Sequence, residues 1–207
     1  MAEPSRPPAR AWQRMLSGRR LDLLDPSPLD VELGDIAHGL ARVARWNGQT
    51  MGPHAYSVAQ HSLLVEAILA KQHSNTESRW LLAALLHDAA EYVIGDMISP
   101  FKAVIGNDYR AVEDRLSGAI HIRFGLPAHL PVAVAKKIKQ ADRTAAYFES
   151  IALAGFQKQE SDKLFGGPKG LLAEDFPTLL NPMAAPQAQA AMVDRAIVID
   201  PRLAEAP

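Results

Sequence analysis

Apolar positions recur at helical spacing through most of the chain, interrupted by short Gly- and Pro-containing stretches. The segment "DIAHGLARVARWNG" (35–48) puts Ile36, Leu40 and Val43 or Ala44 on one side, with Asp35 as N-cap and Gly48 beyond the end. "SVAQHSLLVEAILAKQ" (57–72) opens with Ser57 and Gln60 in capping-box spacing and carries Val58, Leu64, Val65, Ile68 and Leu69 along one side. From Thr76, "ESRWLLAALLHDAAEYVI" (77–94) reads as one helix that stops at Gly95. It is apolar nearly all the way round, the pattern of a helix at the centre of a bundle. "DYRAVEDRLSGAIHIRFG" (108–125) turns Val112, Leu116 and Ile120 inward. Pro131 then opens a long helix over 132–155, with Ala135, Ile138, Asp142 and Ala145 as its inward stripe. "QAQAAMVDRAIVI" (187–199) is a further short helix. Residues 18–34 have the turn residues and short apolar pieces of an irregular segment or a small β-hairpin.

The expected fold is therefore an all-α bundle of five to seven helices, with a small N-terminal β-hairpin as a possible addition. A flexible tail over residues 1–20 precedes a single domain over 21–207, whose core lies at about 35–155. With 207 residues, 48% of them hydrophobic and 22% charged, the composition is that of an ordinary globular protein. Net charge is −1, from 22 Lys and Arg against 23 Asp and Glu, which gives no broad attraction to nucleic acid or an anionic membrane. Cysteine is absent, so disulfides and thiolate metal sites are excluded. The Pro- and Arg-rich start has no apolar signal segment, and no apolar run reaches the roughly 18 residues that span a bilayer. A cytoplasmic protein is expected.

Four polar residues interrupt the apolar stripes: His61, the adjacent His87 and Asp88, and Asp142. Burying such groups without partners costs several kcal/mol, roughly 2–7 for a neutral group and more for a charge. Two imidazoles and two carboxylates from three helices would suit one divalent ion, with Mn, Fe, Co, Ni and Zn all accepting mixed N/O ligation. Each residue alone has a plain reading as a hydrogen-bonded core group; the conjunction is what points to metal. Glu91, four residues after His87 and three after Asp88, falls on the same helical face and is placed to handle a proton.

The order His61, His87-Asp88, Asp142 resembles the H…HD…D signature of the HD-domain metal-dependent phosphohydrolases. "YSVAQHSLLV", "LLHDAAEYVIGDMISPFK" and "IKQADRTAAYF" are similar to segments of the bacterial HD-domain 5′-deoxynucleotidases and their near relatives, over about residues 35–155. The resemblance implies one divalent ion, Mg included among the candidates, held by His61, His87, Asp88 and Asp142. Glu91 then matches the acid that positions or activates the attacking water, and Asp96 an aspartate near the sugar. Arg45 and Trp46 match an Arg-Trp pair that contacts phosphate and base, with Arg42, one turn earlier, as a rival. Two departures are Gln60, where relatives usually carry Glu, and a spacing from Arg45 to His61 one residue longer than theirs.

The implied reaction is hydrolysis of a phosphate monoester, foremost of (deoxy)nucleoside 5′-monophosphates. The alternatives are a phosphodiesterase or nucleotide pyrophosphohydrolase on the same scaffold, or a non-catalytic metal-binding module. Lys102 is a candidate phosphate contact or an ordinary solvated lysine. His38 and His54 read as surface or hydrogen-bonding residues, with ligand roles as the alternative, and His73, His121 and His129 as exposed. Lys139 is expected to cover the bundle surface with its stem. The expected partner is a small phosphate ester, with no nucleic acid and no membrane; since such relatives are often dimers, a homodimer is a further expectation.

Overall fold

A computed structural model describes residues 11–97, 107–168 and 170–205. The chain is mostly helical, with a two-stranded antiparallel hairpin of β1 (Trp12–Arg14) and β2 (Arg20–Asp22). The hairpin thus begins before the stretch read as strand-forming, inside residues expected to be tail. Ser17 in its turn donates from Oγ to Asp35 at 2.5 Å and from its backbone N–H to the other carboxylate oxygen at 3.0 Å.

Those bonds correct the reading of Asp35 as an N-cap. Helix α1 runs Leu33–Leu40, so Asp35 lies buried within its first turn, and Glu32 precedes the helix without a side-chain cap. The helix also ends at Leu40 rather than continuing to Gly48. Beyond it Ala44 bridges Ser57, and a 3-10 turn at Arg45–Gly48 holds Trp46 and Asn47 in the left-handed region, with φ of 57° and 51°. Such a conformation costs a non-glycine residue roughly 1–2 kcal/mol. Its consequence is that Arg45 and Trp46 leave the helix direction.

Helix α2 (Val58–Gln72) is the central element and packs against most of the others. Ser57 Oγ accepts from the N–H of Gln60 at 3.2 Å, the forward half of a capping box. Gln60 does not reach back; its amide donates to Asn181 O at 2.9 Å and accepts from Met183 N–H at 2.8 Å. The residue that departs from the relatives' Glu thus clamps the C-terminal segment through both ends of an amide, which a carboxylate could not do.

The expected single helix over 77–94 is two: α3 (Ser78–Leu85) and the short α4 (Glu91–Ile94), ended by Gly95 at φ 78°. Between them His87, Ala89, Glu91 and Tyr92 each donate to the carbonyl three residues back, a tighter winding than the α-helix. His87 and Asp88 therefore sit on a turn. Helices α5 (Asn107–Arg123), α6 (Val132–Ala152), α7 (Lys158–Phe165) and α8 (Ala185–Ile199) complete the bundle.

Helix α5 buries Leu116 and Ile120 as expected. In α6 the inward residues include Ile138, Ala141 and Ala145, while Ala135 is exposed, correcting the expected stripe. His121, expected to be exposed, is buried, and its Nδ1–H donates to Ala128 O at 3.1 Å. No helix among the described residues is long and apolar enough to cross a membrane.

Candidate metal centre

Helix α2 carries His61 into the interior on a face made by Val58, Leu64 and Val65, and the imidazole is fully buried. The turn after α3 brings His87 and Asp88 beside it, and α6 brings Asp142. His61 Nε2 lies 3.3 Å from Asp142 Oδ1 and 3.6 Å from Asp88 Oδ2, and His87 Nε2 lies 3.2 Å from the same Asp88 oxygen. Ligand atoms sharing one ion at bonds of about 2.1 Å stand roughly 3–4 Å apart, the spacing seen here.

Both ring nitrogens facing this cluster are buried and make no aligned hydrogen bond among the described residues. Each ring's other nitrogen is anchored: His87 Nδ1–H donates to Ala84 O at 2.9 Å, and His61 Nδ1–H to Glu149 Oε1 at 2.5 Å. With Nδ1–H committed in each ring, both Nε2 atoms face the carboxylates, the arrangement by which imidazoles are held for metal ligation. His61, His87 and Asp88 offer ligand atoms that all lie within 4.8 Å of one another, a set whose chemistry fits a divalent ion, and Asp142 stands beside it against His61. In the protein alone, burial and Arg45 oppose charge on His61, but Glu149 and Asp142 outweigh them and push its pKa up to about 10. Burial likewise opposes ionisation of Asp88 and Asp142. His87 and His61 overcome it at Asp88, and His61 foremost at Asp142, holding both carboxyls well below the usual range.

Glu149 is the residue that sequence reasoning missed. It is fully buried on α6, seven residues and two turns after Asp142, and so on the same helical face. Besides His61 it accepts from Trp46 Nε1–H at 3.0 Å and from Arg45 NH2 at 3.4 Å. Burial raises its pKa, but His61 and Arg45 prevail and keep it ionised. A second carboxylate two turns after Asp142 on the same face was the available signal.

Arg45 NH1 is 3.6 Å from Asp96 Oδ2 and 4.0 Å from Asp88 Oδ2, so with Glu149 three carboxylates compensate one guanidinium, whose buried Nε–H has no hydrogen-bond partner among the described residues. Arg42 turns away, donating to His38 O at 2.8 Å and Gln189 Oε1 at 3.1 Å. The left-handed turn puts Trp46 against Phe156 and Phe165, with ring centroids 5.6 and 6.0 Å away. Glu91 is buried at the start of α4, and its N–H donates to Asp88 O at 3.0 Å. Because the helix is broken there, this turn rather than an (i, i+4) relation to His87 sets where Glu91 enters α4. Lys139, expected only to cover the surface, places Nζ 2.6 Å from Asp142 Oδ2. His54 is exposed, and Lys102 lies outside the described residues.

Residues 36–163 match the model of a family described as YfbR-like, 5′-deoxynucleotidase YfbR-like. An uncharacterized protein of Rhodobacter capsulatus is 56% identical over 186 residues, covering 90% of this chain and 94% of that protein. The uncharacterized protein YfdR of Escherichia coli is 32% identical over 113 residues, covering 55% of this chain and 56% of its own length.

Proposed function

The chain belongs to the YfbR-like family of HD-domain phosphohydrolases, and from that membership we propose that it hydrolyses the phosphate monoester of (deoxy)nucleoside 5′-monophosphates. One divalent ion would be held by His61, His87, Asp88 and Asp142. When bound, such an ion supplies Lewis-acid polarisation of a phosphoryl oxygen and a bound water of lowered pKa. The observation that carries the reading is the pair of buried, unpartnered Nε2 atoms aimed at two carboxylates beside a buried arginine.

The protein's own groups divide the work. Arg45 stays charged among Asp88, Asp96 and Glu149, and it offers N–H donors to phosphoryl oxygens as charge builds on them. Glu91, buried and tied through its backbone to Asp88, is the group we assign to take or hold the proton of the attacking water. Trp46, fixed by Glu149 and braced by Phe156 and Phe165, is assigned to the base. Asp96 sets Arg45 from one side and is assigned to accept from a sugar hydroxyl.

The test is phosphate release by protein loaded separately with Mn²⁺, Co²⁺, Fe²⁺, Ni²⁺, Zn²⁺ or Mg²⁺, over a panel of nucleoside 5′-monophosphates, polyphosphates and diesters. Release from the monophosphates with at least one ion is expected. Hydrolysis confined to diesters or to internal anhydrides, or no hydrolysis by protein that holds metal stoichiometrically, would overturn the proposal.

A further inference from the structure

A second feature adjoins the metal cluster and plays no part in the mechanism above. A groove of about 560 Å³ runs between α6 and the chain after α7. Lys136, Lys139 and Arg143 line one side, at (i, i+3) and (i, i+7) on a single face of α6, and Phe165, Gly166, Gly167 and Pro168 line the other. Among the described lining residues three are cationic and none is anionic. The volume is in the range of pockets that hold a ligand of nucleotide size, about 300–1,000 Å³.

Two observations tie this groove to an anionic ligand bound at the cluster. Lys139 belongs to both: its Nζ touches Asp142 Oδ2, while Asp142 Oδ1 faces His61. Phe165, on the opposite wall, is also the ring against which Trp46 rests. The groove therefore extends from the proposed ligand set on one side and the proposed base platform on the other. Along it, Lys136 and Arg143 have no carboxylate partner among the described residues. Lys136 and Arg143 flank the paired Lys139 on one helical face, and an anion beside them offsets their unpaired charge while gaining charge-assisted hydrogen bonds.

We infer that the groove bounded by Lys136, Lys139 and Arg143 binds a second phosphoryl group of the substrate, so that the preferred nucleotide carries another phosphate besides the one at the metal cluster. This rests on the assignment of that cluster as the nucleotide phosphate site. The second phosphate has two chemical sources, the sugar 3′-position and a longer 5′-chain, and the same groove chemistry serves either.

The experiment compares deoxyadenosine 5′-monophosphate, the 3′,5′-bisphosphate and the 5′-diphosphate at fixed ionic strength, because phosphate contacts weaken with salt. Binding is read by calorimetry on the metal-loaded Glu91→Gln protein, and kcat/KM on the metal-loaded protein with Glu91 intact. At least one of the two doubly phosphorylated ligands should bind tenfold or more tightly than the monophosphate, about 1.4 kcal/mol. The one that gains identifies the source. Adding Lys136→Ala and Arg143→Ala together should remove that gain while leaving monophosphate affinity within twofold. Equal affinity for all three ligands, or a gain that survives the double substitution, overturns the inference even if monophosphates are hydrolysed. A groove-dependent gain in binding without hydrolysis of any of the three overturns the hydrolase assignment instead.

Discussion

Replacing Glu149 by Gln keeps the side chain's shape and removes one charge from the centre of the site. The carboxylate holds three donors at once, from His61, Trp46 and Arg45, in a place with no solvent exposure. With the charge gone, Arg45 keeps only Asp88 and Asp96, at 4.0 and 3.6 Å, and His61 loses the partner that makes its ring a strong donor of electron density at Nε2. Breaking a buried ion pair by removing one partner costs about 3–5 kcal/mol. The amide can still accept from one donor, so the lower end applies; at about 2–4 °C per kcal/mol for a chain of this size, the metal-free variant should melt roughly 6–12 °C lower. Loss of such a partner behind a ligating histidine weakens metal binding about 10- to 100-fold. Thermal unfolding of the metal-free protein and calorimetric titration with Co²⁺ or Zn²⁺ read the two effects separately. KM for a nucleotide should also rise, because Arg45 and Trp46 lose their common anchor. A folded variant with metal affinity within twofold of the parent and an unchanged melting temperature would refute the role given to Glu149.

Three further predictions test neighbouring parts of the argument. Asp88→Ala should abolish stoichiometric metal binding, measured by elemental analysis after desalting, whereas Glu91→Gln should keep the ion and lose about 10²- to 10⁴-fold in turnover; equal metal loss in both would show Glu91 to be a ligand. A Cβ at Gly39 would stand 2.8 Å from both Cβ and the carbonyl oxygen of Tyr92, so Gly39→Ala should cost about 1–3 kcal/mol in denaturant unfolding despite its better helix propensity. It should also lower activity by shifting the residue next to Glu91, and an unchanged midpoint would refute the close approach of α1 to α4. Burial, aided by His129, holds the His121 imidazole below its ordinary pKa against the opposing Ala128 hydrogen bond. The unfolded chain then takes up this proton first as pH falls below about 6.5, so stability contributed by the neutral ring is present above that pH and lost on going down through the folded pKa. His121→Asn should show a flatter melting temperature between pH 7.5 and 5.5, and the same slope as the parent would reject the assignment.

The mostly helical fold was legible because most segments are long enough for a 3.6-residue period to stand out, as in α2 and α5, where the expected inward residues Leu64, Leu116 and Ile120 are fully buried or nearly so. The end of α1 was not. Ala41, Val43 and Ala44 continue the apolar period past Leu40, and no Gly or Pro marks the exit, so only the bridge from Ala44 to Ser57 and the left-handed turn after it end the helix. That departure is what selects between the two arginines. On a continued helix Arg42 and Arg45 lie one turn apart on nearly the same face, whereas the turn sends Arg45 toward Glu149 and leaves Arg42 on the outer surface.

The break between α3 and α4 was hidden for a related reason. Leu86, Ala89 and Ala90 are all buried and the run is apolar throughout, so the hydrophobic pattern carries no period there, and alanine and leucine are strong helix formers that give no stop signal. The polar pair is what the break serves. On an α-helix adjacent side chains diverge by about 100°, and His87 and Asp88 would meet at one point only from a helix facing it squarely. With the winding tightened through residues 87–92, the imidazole and carboxylate converge to 3.2 Å, and Glu91 enters a new helix with its N–H on the carbonyl of Asp88. An adjacent His-Asp in an apolar run is therefore informative in two ways, as a candidate ligand pair and as the place where the helix cannot remain regular if both side chains reach one ion. The same argument makes Asp142 and Glu149 complementary. A regular helix presents both on one face two turns apart, so α6 stays unbroken, with one carboxylate directed at the Nε2 of His61 and the other at its Nδ1.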